Sequence, residues 1–268
     1  MLYNSSVTDK KNSNRLYSFL YLLAFYLGID LLPIEKWIPL SAVAKLVRIL
    51  LLTVLLIGAC KEIVKNRKTE NGSKIRYFDY FLLIPFLYGT GSNLFYSAFT
   101  NQQMTVAVTS EIVLDTFLTF VMAAMEEILF RYLLLTFFEN LFINKKQKEI
   151  LSILSSAVCF SLIHVVNFYG NAPMAVLAQL GYTLLLGFIL GCLAVSYETP
   201  LLPILSHFLY NFLNMTLFNS LYSYSWDSGF IVYSIIVGLV LTGYSFFVYT
   251  LRGREKKKTL QKENTLNS

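Results

Sequence analysis

Apolar runs of about twenty residues, repeated along the chain and separated by short polar or basic segments, restrict this sequence more than any motif in it. They are read near 16–34, 38–60, 79–99, 106–138, 150–169, 174–196, 200–220 and 229–251. In lipid a spanning segment must satisfy its own backbone hydrogen bonds, which for runs of this length leaves the helix as the solution. The expected fold is therefore all-α: a polytopic membrane protein with about eight transmembrane helices. A chain with 56% hydrophobic and 14% charged residues is too apolar for an ordinary soluble domain. Two runs are irregular. Lys45 and Arg48 interrupt the second, which also fits an interfacial start before a shorter buried part. The fourth is longer than a bilayer needs and implies tilt or an extension beyond it.

The net charge of +6 raises the question of nucleic acid, but the basic residues fall in short clusters between the apolar runs and not over one soluble surface. Nucleic acid is not an expected partner. Read as topology signals, the clusters place the N-terminus inside. The inner segments then hold Lys10, Lys11 and Arg15; Lys61, Lys65, Arg67, Lys68, Lys74 and Arg76; Lys145, Lys146 and Lys148; and the tail from Arg252 to Lys262. The outer loops have almost no basic residue beyond Lys36. The expectation is a multi-pass protein of the cell membrane with both termini cytoplasmic, divided into a polar segment 1–15, a membrane domain 16–251 and a basic tail 252–268. The polar ends read as mobile. The first run follows a basic N-region, as in a signal peptide, but its length and the lack of a small-residue cleavage site favour a retained anchor. Cys60, Cys159 and Cys192 form no CxxC pair, so neither a disulfide framework nor a thiolate zinc site is expected.

Against this background Glu126, Glu127 and Arg131 are out of place. All three sit within the fourth apolar run, where an ionised side chain near the bilayer centre costs at least ~2.5 kcal/mol on insertion scales. They need a partner or a water-filled site. On a helix Glu127 and Arg131, four apart, share a face and can form an ion pair, whereas Glu126 points about 100° away from Glu127. The two acids should not do the same job. The chain has two histidines, and both lie in apolar runs: His164 after Phe160, and His207 one turn before Asn211. His207 and Asn211 point the same way and can touch one ligand atom.

These residue types suit hydrolysis of a peptide bond. Such chemistry needs a base, a group to orient or share its proton, and donors for a developing negative charge. Glu126 suits the base, His164 the proton-sharing partner, and His207 with Asn211 the oxyanion donors. Glu127 with Arg131 suits a structural ion pair.

Three ordered motifs now define a resemblance: E-E-x-x-x-R at Glu126, Glu127 and Arg131; F-x-x-x-H at Phe160 and His164; and H-x-x-x-N at His207 and Asn211. Ser155-Ser156 and Thr199-Pro200-Leu201-Leu202-Pro203 add to it. The pattern resembles the CPBP intramembrane proteases, also called the Abi or CAAX-protease-and-bacteriocin-processing family, over roughly residues 105–215. Residues 1–100 carry no comparable signal. The resemblance implies a helical bundle like that of the CAAX prenyl endopeptidase and a glutamate-activated water at Glu126 and His164. It also implies an oxyanion site at His207 and Asn211, with a peptide or membrane protein as substrate. It leaves open peptide or bacteriocin maturation, self-immunity and CAAX-type processing.

Alternatives remain. Glu126, His164 and His207 amount to two histidines and a carboxylate, a catalytic zinc set, although H-E-x-x-H is absent; no cofactor is otherwise expected. A non-catalytic immunity or regulatory protein that binds a membrane partner is a second class. A transporter is a third, since buried acids and histidines also form proton relays, but no pair of broken helices in matched halves is found. Glu111 and Asp115 can line an entrance or face the surface. Asn167 and Gln179 can reach the same cavity as His164. Gly187 and Gly191 read as a close helix contact, and Lys256, Lys257 and Lys258 as an inside anchor near anionic lipid.

Overall fold

The computed structural model describes residues 2–34, 41–66, 96, 111–169, 172–213 and 228–266, and among them the regular structure is entirely helical. Helix α1 spans Leu2–Leu31 and α2 spans Ser41–Asn66. Helix α3, Glu111–Glu127, runs into a π-helical segment, Ile128–Leu134, and on into α4, Leu135–Leu141. Helix α5, Lys148–Leu162, ends in a 3-10 segment, Ile163–Tyr169. Helix α6 is Pro173–Tyr197, α7 is Leu201–Asn211 and α8 is Ser228–Leu266.

Among the described residues four stretches are long and apolar enough to cross a membrane: Ser41–Lys61, Lys148–Tyr169, Pro173–Tyr197 and Val232–Arg254. They coincide with four of the eight expected runs. The run near 79–99 lies outside the described residues save Tyr96, and those near 106–138 and 200–220 lie partly outside them. With this many apolar helices the chain is a membrane protein. The outer helix faces carry exposed Leu50, Val54, Phe117, Val158, Leu184 and Ile236, side chains that water would leave as large apolar patches and a bilayer covers.

The polar ends carry helical backbone. Backbone helix begins at Leu2 and continues on the other side to Leu266. The tail is rich in Arg, Glu, Lys and Gln, all good helix formers, and it propagates from a helix already nucleated by its apolar half.

The residues that broke the second run are accommodated by neighbours. Lys45 Nζ pairs with Asp115 Oδ1 at 2.7 Å, and Arg48 donates to the Leu32 carbonyl at 3.1 Å. Asp115, expected at an entrance or the surface, is thus a partly exposed link between α2 and α3.

The main core packs Phe19, Leu22 and Tyr26 of α1 and Leu52 and Ala59 of α2 against Met125, Leu129 and Phe130 of the α3–π element, with Phe160 of α5. Glycine then sets how near α6 comes to α5. A Cβ on Gly187 would sit 3.1 Å from Ala157 Cα, and one on Gly191 would sit 2.9 Å from Ile153 Cγ2. Only a residue without a side chain leaves room at that approach. Beyond α6, Tyr197 and Leu193 pack against Val248 of α8.

The π turn lies beside the acids. Leu135 N–H reaches the Phe130 carbonyl, an i to i+5 bond, and the same carbonyl accepts from Ser156 Oγ at 2.7 Å. The bulged turn is thereby fastened to α5.

Candidate active site

Glu126 and Glu127 close α3 where it meets the π segment, and both are buried, Glu127 completely at 0% exposed and Glu126 at 8%. The difference fits their directions on the helix. Glu127 faces inward to Arg131, whose Nε lies 3.2 Å from Glu127 Oε2. This is the ion pair that the i, i+4 spacing predicts. Arg131 is held on two further sides. Its guanidinium carbon sits 4.3 Å from the centre of the Phe160 ring, and Nη2 donates to the Gly187 carbonyl at 3.4 Å. Phe160, fully buried, joins the arginine to the π segment through an edge contact with Phe130 at 5.3 Å.

Helix α7 delivers His207, 2% exposed, between the two acids. Nδ1 lies 2.8 Å from Glu127 Oε1. Nε2 lies 3.6 Å from Glu126 Oε2, too far for a hydrogen bond but close enough for direct electrostatic influence. The other Glu126 oxygen, Oε1, accepts from Tyr26 Oη at 2.5 Å. Tyr26 is 100 residues away on α1, in the part of the chain without motifs. No spacing or composition signal marks it; it becomes visible only through packing.

His164 is the second residue of the 3-10 segment and is half-buried. Its Nδ1 is 2.9 Å from the Phe160 carbonyl. A carbonyl can only accept, so Nδ1 carries the proton and in the neutral ring Nε2 keeps the lone pair. Among the described residues no hydrogen bond or ion pair joins His164 to Glu126. The link is indirect: the Phe160 ring meets His164 at 5.3 Å and His207 at 5.7 Å, in both cases edge-on. Asn211 ends α7 one turn after His207 and is half-buried. Asn167 and Gln179 are bonded to each other, Nδ2 to Oε1 at 2.8 Å, and tie the 3-10 segment to α6.

Glu126, His164 and His207, the candidate zinc set, do not converge as three ligands. Among the described residues no group of three His, Cys, Asp or Glu side chains is placed to hold a metal ion.

A buried acid pair joined by a histidine inside an apolar helical bundle fits a glutamyl-protease site. Residues 109–213 match the family model described as type II CAAX prenyl endopeptidase Rce1-like. The matched segment, an Rce1-like domain of the CPBP or Abi group, runs from just before α3 to just past α7. No curated protein and no solved structure matches the chain.

Proposed function

We propose that this protein is an intramembrane endopeptidase in which Glu126 activates the attacking water. The observation that carries the reading is the buried contact of His207 with both Glu126 and Glu127, inside the segment that matches the protease family. Glu126 Oε2 takes a proton from water as its oxygen bonds to the scissile carbonyl carbon. His164, its free nitrogen fixed as Nε2 by the bond to the Phe160 carbonyl, shares that proton and passes it to the departing amine as the C–N bond breaks.

Position supports His207 as the oxyanion donor. With Nδ1 2.8 Å from Glu127 Oε1, the ring turns Nε2 towards Glu126 Oε2 at 3.6 Å. A proton on Nε2 in this reading serves the oxygen that becomes negative during attack. Asn211, one turn away on the same helix, supplies a second donor. Glu127, Arg131 and Phe160 hold His207 in place.

The substrate in this reading is a peptide or membrane-protein segment. After the family's description, a C-terminal CAAX-type prenylated tail is the first probe; neither that description nor the geometry points to bacteriocin immunity. Access in this reading is from the inner half of the membrane, and labelling from each side of a cysteine introduced near Glu126 tests it.

The deciding experiment reconstitutes the purified protein in nanodiscs with a fluorogenic prenylated CAAX-type peptide, and compares membrane peptides from cells carrying the native and Glu126→Gln chains. Cleavage by the native chain that is lost in Glu126→Gln supports the reading. Equal peptide profiles in both cell lines leave a non-catalytic binding protein. Loss of activity on chelation that returns only with zinc replaces water activation by glutamate alone with a metallopeptidase.

A further inference from the structure

We infer that Tyr26 is a positioning residue for Glu126: by fixing Oε1 it assigns Oε2 as the oxygen that binds and deprotonates water. The inference rests on the reading of Glu126 as water activator and adds a residue from outside the family-matching segment.

A glutamate side chain has three rotatable bonds, and in a site of this size its carboxylate could turn either oxygen towards substrate. Two contacts remove that freedom. Tyr26 Oη donates to Oε1 at 2.5 Å, while Oε2 faces His207 Nε2 at 3.6 Å. One oxygen is tied and the other is left within reach of a small molecule beside the imidazole. Glu126 is also the less enclosed of the two acids. Glu127, by contrast, has both oxygens engaged, Oε1 by His207 and Oε2 by Arg131.

Tyr26 is itself immobilised. It is 2% exposed and packs in the main core with Phe19 and Leu22 of α1 and Met125 of α3. A tyrosine whose ring is anchored among apolar neighbours directs its hydroxyl along one line. Placing a charged acceptor at the end of that line gives a stiff carboxylate, which is the preorganisation that proton abstraction needs. Helix α1 is therefore a part of the active site and not merely an anchor.

The test is Tyr26→Phe, which keeps the ring and removes only the donor. In nanodiscs with the prenylated CAAX-type peptide, kcat falls roughly 10- to 100-fold, the scale that a misplaced catalytic group costs, while KM is unchanged. In a Glu126→Asp background, whose shorter side chain already breaks the contact, Tyr26→Phe has less than about a third of that effect on kcat. A second readout needs no substrate: the rate at which dicyclohexylcarbodiimide labels Glu126, followed by mass spectrometry, rises severalfold in Tyr26→Phe because the carboxyl is released. Wild-type kcat in Tyr26→Phe, with Glu126→Gln inactive, overturns the inference alone. Turnover retained in Glu126→Gln sinks the reading of Glu126 and this inference together. An unchanged labelling rate overturns the contact whatever the activity.

Discussion

His207 donates from Nδ1 to Glu127 Oε1 across 2.8 Å, and the opposite nitrogen of the same ring stands 3.6 Å from Glu126 Oε2. One imidazole thus spans two consecutive acids that point about 100° apart on their helix. The acids differ in everything else they touch: Tyr26 for Glu126, Arg131 for Glu127. Substitutions at the two positions should separate.

Glu126→Gln keeps an oxygen that accepts from Tyr26 and leaves the Arg131 pair intact, so thermal stability in detergent stays within about 1 kcal/mol of the native protein while peptide cleavage is abolished. Glu127→Gln strands Arg131 without its counter-charge. Loss of one partner of a buried pair costs roughly 3–5 kcal/mol, read as a lower melting temperature and lower membrane yield. Equal melting temperatures for the two variants would contradict this division.

Arg131 is held by its shape as much as its charge, since the guanidinium lies over Phe160 and donates to Gly187. Lysine cannot reproduce a planar contact of that kind. Arg131→Lys is expected to lose about 2 kcal/mol of stability, and a double-mutant cycle with Phe160→Leu to give a coupling of roughly 0.5–2 kcal/mol. A coupling of zero would remove the ring from the account.

The two glycines of α6 should respond unequally to alanine. At Gly191 the added methyl meets the Ile153 side chain, which can shift or be trimmed, whereas at Gly187 it meets the Ala157 backbone and the Phe160 ring. Both variants lose stability, about 1–3 kcal/mol for overpacking. In an Ile153→Ala background, which lacks the clashing Cγ2, Gly191→Ala should cost less than in the native chain and Gly187→Ala no less, by thermal unfolding in matched micelles.

The Lys45–Asp115 pair is partly exposed, which limits its value to at most about 1 kcal/mol. Lys45→Asp alone places two acids together and lowers the melting temperature slightly; the exchanged protein, Lys45→Asp with Asp115→Lys, regains it. A swap no better than the single change would mean that the pair contributes only by position.

The parts of this architecture that could be read in the sequence are those governed by one helix. The apolar runs near 150–169 and 174–196 match Lys148–Tyr169 and Pro173–Tyr197 closely, because bilayer thickness and hydropathy act locally. The Glu127–Arg131 pair follows from four-residue spacing, and the Gly187–Gly191 contact from small residues one turn apart. What depends on how one helix is turned against another was not legible. The rotation of α7 that puts both nitrogens of His207 on acids belongs to packing, as does the meeting of Tyr26 with Glu126. Lys45 and Arg48 looked like breaks in a run until Asp115 and the Leu32 carbonyl came within reach.

The π turn from Ile128 to Leu134 has a bearing on how this chain can change over generations. The wide turn takes up one residue more than ordinary α-helix would hold, with the glutamates on His207 before it and Leu135 packed with Ile153 and Cys192 after it. A residue deleted inside the turn lets it close into α-helix with both flanks near their present directions. One deleted in the α-helix on either side rotates a flank by about 100°, and either the acids leave His207 or the second half of the element leaves its neighbours. The segment is the place where this element can absorb a change of length, and a library of single-residue deletions across 120–140 should show its loss of function to be sharper outside 128–134 than within it.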